Sequence, residues 1–201
     1  MLAFIMVMPA LYAFSQGIHE TPLIKYSYAK DYQPEGLNLE EVTSVFAEDF
    51  SSGTFPPAGW AIVGDGAGNW IESTSNNAGG EAPEAMFSWS PQFDGNSKLT
   101  SPPINTTGYT ALVMEFKHYV NDYSGLDYVL KVETSSDGST WNEVWSVDPD
   151  GSIGPETKFL LIDNGDIGSE NFQFAFTFDG DSYQINYWYI DDVILAEGLS
   201  Y

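Results

Sequence analysis

The sequence contains no cysteine and no arginine, and these two absences exclude several classes of protein. Without cysteine there is no disulfide framework, no thiolate nucleophile and no cysteine-based zinc site. All six basic residues are lysines, they face 29 Asp and Glu, and the formal net charge is −23. A surface this negative repels nucleic-acid phosphates and anionic membranes. We therefore expect no nucleic-acid partner and no membrane insertion of the mature domain.

The apolar content of the chain argues against disorder. Hydrophobic residues make up 43% of the sequence and aromatic residues 15%, which is far more than an acidic, solvated tail carries. In a folded chain the acids form carboxylate clusters, and Ca²⁺ is the cation that prefers such hard oxygen ligands. A bound calcium ion would also stabilise a fold that has no disulfides.

The first 16 residues are predicted to be a signal peptide. Residues 1–14 form an apolar run too short to span a bilayer as a helix, and Ala13-Phe14-Ser15 has the small residues that a signal peptidase accepts. A basic leader segment is missing, since the first lysine is Lys25. The alternative interpretation is a buried N-terminal strand or helix. We expect a secreted or cell-surface protein.

The remaining chain is divided by composition. Residues 17–44 are polar and broken by Pro22, Pro34 and Gly36, which predicts a linker or propeptide remnant. Residues 45–197 are predicted to form a single domain, and residues 198–201 a tail. About 150 residues are enough for one hydrophobic core.

The domain has the pattern of half-buried strands. Residues 112–120, 128–134 and 172–178 alternate apolar and polar side chains, the last of these through four Phe. Asp- and Gly-rich turn sequences separate them, and no stretch has a sustained helical period. The pattern predicts an all-β fold, a sandwich of two antiparallel sheets.

One strand near the end of the chain contains two adjacent acids. Asp191 and Asp192 interrupt an aromatic and β-branched segment, Tyr187-Trp188-Tyr189-Ile190 before them and Val193-Ile194-Leu195 after them. Strands disfavour Asp, and a half-buried carboxylate is costly unless a cation pairs with it. With few lysines available, a bound metal ion is the natural partner.

Six segments, in order, resemble the cleaved adhesin domains of gingipain-type proteases and the related MAM-like, or choice-of-anchor, modules. They are Ala47-Glu48-Asp49-Phe50 with Gly53-Thr54-Phe55-Pro56-Pro57-Ala58-Gly59-Trp60, Asp65-Gly66-Ala67-Gly68-Asn69-Trp70, Leu99-Thr100-Ser101-Pro102-Pro103-Ile104, Phe116-Lys117-His118-Tyr119, Ser136-Asp137-Gly138-Ser139-Thr140-Trp141 and Trp188-Tyr189-Ile190-Asp191-Asp192-Val193. Together they span essentially the whole of residues 45–197. The sequence departs from the family at Ala67, where many relatives have a second Asp.

The resemblance implies a non-catalytic jelly-roll sandwich with Ca²⁺ bound where the first and last strands meet. The predicted metal ligands are Glu48, Asp49, Asp191 and Asp192. Side chains alternate along a strand, so Glu48 shares a face with Phe50, and one acid of the aspartate pair should point inward. Antiparallel pairing of the terminal strands would bring that acid towards Glu48. The alternative is two solvated acid pairs at strand ends.

The expected function is binding without catalysis. The chain has no Gly-x-Ser-x-Gly elbow, and His118 is expected to be structural or superficial. Aromatic residues near predicted loop ends, namely Tyr123, Trp145, Tyr183 and Tyr187, could stack on sugars or anchor a protein. We expect a secreted, calcium-stabilised adhesion or protein-binding module with an extracellular protein or glycan as partner. The alternative is a carbohydrate-binding module, including the accessory domain of a larger secreted hydrolase or peptidase.

Overall fold

A computed structural model describes residues 23–24 and 42–197, which form two antiparallel sheets packed face to face. The strands are β1 (Leu23–Ile24), β2 (Val42–Glu48), β3 (Ala61–Gly64), β4 (Trp70–Ser73), β5 (Glu84–Ser88), β6 (Asp94–Thr100), β7 (Leu112–Asp122), β8 (Tyr128–Ser135), β9 (Asn142–Val147), β10 (Ile153–Ile162), β11 (Gln173–Asp181) and β12 (Ile185–Glu197). Two 3₁₀ turns, Ala67–Asn69 and Ser182–Gln184, are the helical segments in this part of the chain. Neither is long and apolar enough to cross a membrane.

Strand β12 organises the seven-stranded sheet. It pairs with β7 along one side, and on the other side with β5 over its first half and β2 over its second half. Strands β10, β4 and β1 extend the sheet from β7, β5 and β2 respectively. The second sheet has the order β3-β6-β11-β8-β9. The predicted all-β, two-sheet antiparallel jelly-roll sandwich is confirmed.

The core between the sheets is largely aromatic. The alternating Phe residues predicted to face inward, Phe172, Phe174, Phe176 and Phe178, are all fully buried. Across the sandwich, the rings of Phe87 and Phe178 stack with centroids 4.4 Å apart. Aromatic pairs at such distances add stability beyond the area that they bury.

The continuously described part of the chain begins at Val42, just before the predicted domain start at residue 45. Strand β2 starts at Val42, and the two residues of β1, inside the predicted linker, pair with Val42 and Thr43. The predicted signal peptide and C-terminal tail lie outside the described residues. The division of the chain at residues 16, 44 and 197 stays a prediction.

Candidate functional site

The Asp191-Asp192 pair lies at a bulge in β12. Asp191 pairs with Lys117 of β7 and Ile194 pairs with Glu115, so two residues of β12 oppose one residue of β7. Asp192 is one of these two residues, and its φ is +47°. This value lies in the left-handed region, which Asp tolerates better than most residues. The bulge resets the alternation of side chains along the strand.

This change decides which way the acids point. Ile190 and Val193 are both fully buried in the core between the sheets, so Asp191 lies on the outer face of the seven-stranded sheet. The carboxylate of Asp192 reaches the same side, where its Oδ2 accepts a hydrogen bond from Lys117 Nζ at 2.7 Å. Both carboxylates therefore meet outside the core.

Asp191 is nevertheless fully buried. Its Oδ1 accepts the backbone N–H of Asp192 at 2.8 Å, whereas its Oδ2 has no hydrogen-bond partner. Burial raises the pKa of Asp191 to about 8, with further increases from the charges of Asp192 and Glu84, while Lys117 lowers it. An unpartnered carboxylate oxygen in such a place needs either a proton or a cation.

A loop between β4 and β5 covers these acids. Glu84, at the start of β5, is fully buried and holds the loop in place. Its Oε1 accepts from Ser75 Oγ at 2.6 Å and Asn77 N at 2.7 Å, and its Oε2 accepts from Ala78 N at 2.7 Å. No sequence pattern marks Glu84, because its role depends on a loop that folds back onto it.

Gly80 brings the backbone of this loop against the aspartates. A Cβ atom added to Gly80 would lie 2.0 Å from Asp191 Oδ2 and 3.0 Å from Asp192 Oδ2. The two carboxylate oxygens thus face a stretch of backbone with no side chain between them. Backbone carbonyl groups are common calcium ligands. We call Asp191, Asp192, Glu84 and residues 74–83 the acidic pocket.

Glu48 lies elsewhere, which corrects one expectation. It pairs with the inward-facing Val193, and its carboxylate accepts from Phe50 N at 2.8 Å and from the indole Nε1 of Trp60 at 3.1 Å. Glu48 and Asp191 are therefore on opposite faces of the sheet. The expected approach of an inward aspartate to Glu48 is wrong, because the bulge turns Val193 inward instead.

Asp49 is also bound locally. It is exposed, and its Oδ1 accepts from the backbone N–H of Ser51 at 3.0 Å and from the hydroxyl of Ser51 at 2.7 Å. In the part of the chain that the structure describes, no group of three or more His, Cys, Asp and Glu side chains could hold a metal ion. A cation at the acidic pocket would therefore need backbone carbonyls or water to complete its shell. Metal binding by the predicted acids stays a prediction.

His118 has the surroundings of a structural residue. It is fully buried beside the rings of Phe116 and Trp145, and burial lowers its pKa. Its Nε2 lies 3.2 Å from Glu156 Oε1, and its Nδ1 has no hydrogen-bond partner. Among the described residues, neither ring nitrogen is hydrogen-bonded to a hydroxyl group that it could activate as a nucleophile.

A second notable feature is a cluster of exposed aromatic rings at one end of the sandwich. Trp89 follows β5, Tyr123 follows β7, and Tyr183 lies between β11 and β12; their exposed fractions are 36%, 59% and 45%. The Trp89 and Tyr183 centroids are 5.8 Å apart, and the Tyr123 and Tyr183 centroids are 5.5 Å apart. We call these three rings the aromatic corner.

The structure brings together two of the four aromatic residues that were singled out in the sequence. Tyr123 and Tyr183 belong to the aromatic corner, whereas Trp145 packs at the edge of the core and Tyr187 contacts Tyr189. The sequence does not single out Trp89, although its position just ahead of Pro91 indicates a loop.

Comparison with known proteins gives structural likeness only. No protein-family model matches the chain, and no curated protein matches it. Among solved structures, the K1 cleaved adhesin domain of Lys-gingipain from Porphyromonas gingivalis W83 superimposes with a TM-score of 0.56 at 15% identity, covering 77% of this chain and 98% of that domain. The K2 cleaved adhesin domain of Lys-gingipain gives 0.52 at 21% identity, covering 76% and 99%.

A carbohydrate-binding protein has a similar fold. TmCBM61, solved in complex with beta-1,4-galactotriose, gives a TM-score of 0.50 at 16% identity and covers 75% of this chain and 94% of that one. These structures confirm the predicted resemblance to cleaved adhesin domains at the level of the fold. At such identities they carry over no binding residues.

Proposed function

We propose that this protein is a secreted, non-catalytic adhesion or protein-binding module whose sandwich is stabilised by Ca²⁺ at the acidic pocket. The fold that it shares with cleaved adhesin domains supports the binding role. The predicted signal peptide supports secretion. The observation that carries the calcium part is the buried Oδ2 of Asp191, which has no hydrogen-bond partner.

The energetics favour a cation at this point. Without one, Asp191 keeps its proton until the pH nears its pKa of about 8. A divalent ion would displace that proton and neutralise the repulsion between Asp191 and Asp192. Among the described residues, Lys117 supplies a single positive charge to the pair, and it is bonded to Asp192.

The donor set fits calcium better than other metals. Asp191 and Asp192 would contribute carboxylate oxygens, and residues 74–83 would contribute backbone carbonyls. Ca²⁺ takes 6–8 oxygen ligands in flexible arrangements, whereas structural zinc favours Cys and His. Glu84 would support the site indirectly and would not bind the ion, because its carboxylate already accepts three hydrogen bonds that shape the loop.

Thermal unfolding of the full chain tests this proposal. Binding only to the folded state contributes about 2.7 kcal/mol at a hundredfold excess of Ca²⁺ over Kd. For a domain of this size, we expect calcium to raise the Tm by about 5–10 °C over excess chelator. Asp191→Asn should remove most of this rise, whereas Asp49→Asn, at an exposed acid, should keep it. A Tm indifferent to chelator would overturn the calcium proposal.

The second candidate function is carbohydrate binding. The aromatic corner favours it, because exposed Trp and Tyr rings held in loops are suited to stacking on sugars. Under both proposals the protein would bind an extracellular partner. An adhesion module would bind a protein, and a carbohydrate-binding module would bind a glycan. Neither function requires a catalytic residue.

A further inference from the structure

We infer that the aromatic corner is a binding site for a sugar unit of a neutral, soluble glycan. This inference rests on the proposed function as a binding module. For a module that binds carbohydrate, it specifies the class of ligand and the residues that contact the ligand. Three loops that are distant in the sequence supply the three rings, Trp89, Tyr123 and Tyr183. The folded sandwich brings these three loops together at one end.

The rings are held by hydrogen bonds of their own backbone. Trp89 N donates to Asn186 O at 3.3 Å, and Trp89 O accepts from the buried Ser182 Oγ at 2.9 Å. Tyr123 N donates to Gln184 O at 3.2 Å. A ligand therefore meets loops that are already ordered, which lowers the entropic cost of binding.

Polar side chains next to the rings supply groups that can bind sugar hydroxyls. Asp181 Oδ1 accepts from Tyr183 N at 3.0 Å and from Gln92 Nε2 at 3.0 Å. Gln184 bonds both Asp181 and Ser124. Carboxylate and amide groups both retain capacity for further hydrogen bonds. A sugar ring is apolar on its C–H faces and polar at its rim. Aromatic rings with polar groups beside them therefore match both parts of a sugar.

The angles between the rings limit the shape of the ligand. Trp89 and Tyr183 lie at 90° to each other, and Tyr123 and Tyr183 at 77°. Tyr183 is therefore coplanar with neither neighbour, and the three rings do not form a flat platform. A corner fits a single sugar unit of a soluble chain, whereas the surface of a crystalline polysaccharide needs coplanar rings.

The charges near the site select against acidic glycans. In the described part of the chain each of the four lysines is bonded to an acid elsewhere; the pairs are Lys98–Glu133, Lys117–Asp192, Lys131–Asp179 and Lys158–Glu156. The charged side chains next to the aromatic corner are Asp181, which accepts from Tyr183 N, and Asp122, which directly precedes Tyr123. A sulfate, phosphate or uronate would meet carboxylates, and the lysines of the described residues are paired elsewhere. The ligand is therefore neutral.

Affinity electrophoresis of the full chain in native gels tests the site. The probes are four neutral soluble polysaccharides (galactan, xylan, glucomannan and mixed-linkage glucan) and two anionic ones (polygalacturonate and dextran sulfate). We expect at least one neutral polymer to retard the protein. Trp89→Ala and Tyr183→Ala should each weaken that retardation about tenfold or more, the effect of losing a central aromatic contact. Phe159→Ala is the matched control, since Phe159 is a 46% exposed aromatic residue on β10.

The outcomes separate this site from the general function. Unchanged Tm values would show that the variants fold, as expected for exposed rings. If the Trp89→Ala and Tyr183→Ala variants are both retarded as strongly as wild type, the aromatic corner is not the glycan-binding site. The protein would still be a glycan-binding module with its site elsewhere. Retardation by the anionic polymers alone, or by none, would also overturn the inference. Calcium-dependent stabilisation, measured separately, would in that case still support the proposed module.

Discussion

In excess chelator, the stability of the protein should fall as the pH rises from about 4 to 8, and Asp191 should be a main cause. Its folded-state pKa of about 8 exceeds its ordinary value of 3.8. Between these two values the folded state holds a proton that the unfolded state has released. Stability from this group is thus fully present below its ordinary pKa and is lost as the pH rises through the folded-state pKa.

The magnitude follows from the linkage relation. One group of this kind changes the free energy of unfolding by about 1.4 kcal/mol per pH unit over the window between its two pKa values. From pH 5 to pH 7 the loss is about 3 kcal/mol, which corresponds to about 5–10 °C in Tm for a domain of this size. Saturating calcium should flatten this slope, because the bound ion keeps Asp191 ionised.

The assay is thermal unfolding followed by tryptophan fluorescence at fixed ionic strength, with wild type and Asp191→Asn compared at pH 5 and pH 7. The buried amide of the variant costs stability at both pH values, so the slope is the quantity to compare. We expect a shallower slope for Asp191→Asn in chelator, and the wild-type slope for the exposed control Asp49→Asn. Equal slopes for wild type and Asp191→Asn would refute the reasoning.

Three further predictions concern the fold and the pocket. Glu48→Gln should lower the free energy of unfolding by about 1–3 kcal/mol, because the amide NH2 replaces one of two accepting oxygens and faces an N–H donor. Chemical denaturation should give the same loss with calcium and with chelator if Glu48 is no ligand. Gly80→Ala should lower the Tm and the calcium affinity, because its Cβ would lie 2.0 Å from Asp191 Oδ2, whereas Gly68→Ala, with open space around it, should change neither. Phe176→Ala should cost about 3–5 kcal/mol, measured by denaturant titration, and a loss below about 1 kcal/mol would contradict its core position.

The strands were predictable because their signals are local. Alternation along residues 112–120, 128–134 and 172–178 reports burial of one face directly. The structure places strands there, at Leu112–Asp122, Tyr128–Ser135 and Gln173–Asp181. The strand pattern also predicted the sandwich. The resemblance to cleaved adhesin domains added the jelly-roll form, and the solved structure of such a domain has a similar fold.

The site was harder to predict because its geometry is not local. One extra residue at the bulge changes which face of the sheet the following side chains occupy. The sequence pattern of residues 187–195 does not predict this bulge. Glu84 and Gly80 reach the aspartates through a folded loop. Trp89 meets Tyr183 across almost a hundred residues of sequence, a contact that only the closed sandwich creates.

The most direct test of the central claim is calorimetric titration of Ca²⁺ into chelator-treated, dialysed protein. We predict one calcium ion per chain for the wild type, Glu48→Gln and Asp49→Asn, and almost no binding heat for Asp191→Asn. Direct ligands differ from neighbouring acids in this way, because their loss removes the site itself. Binding of calcium by Asp191→Asn with the wild-type stoichiometry and affinity would contradict the account.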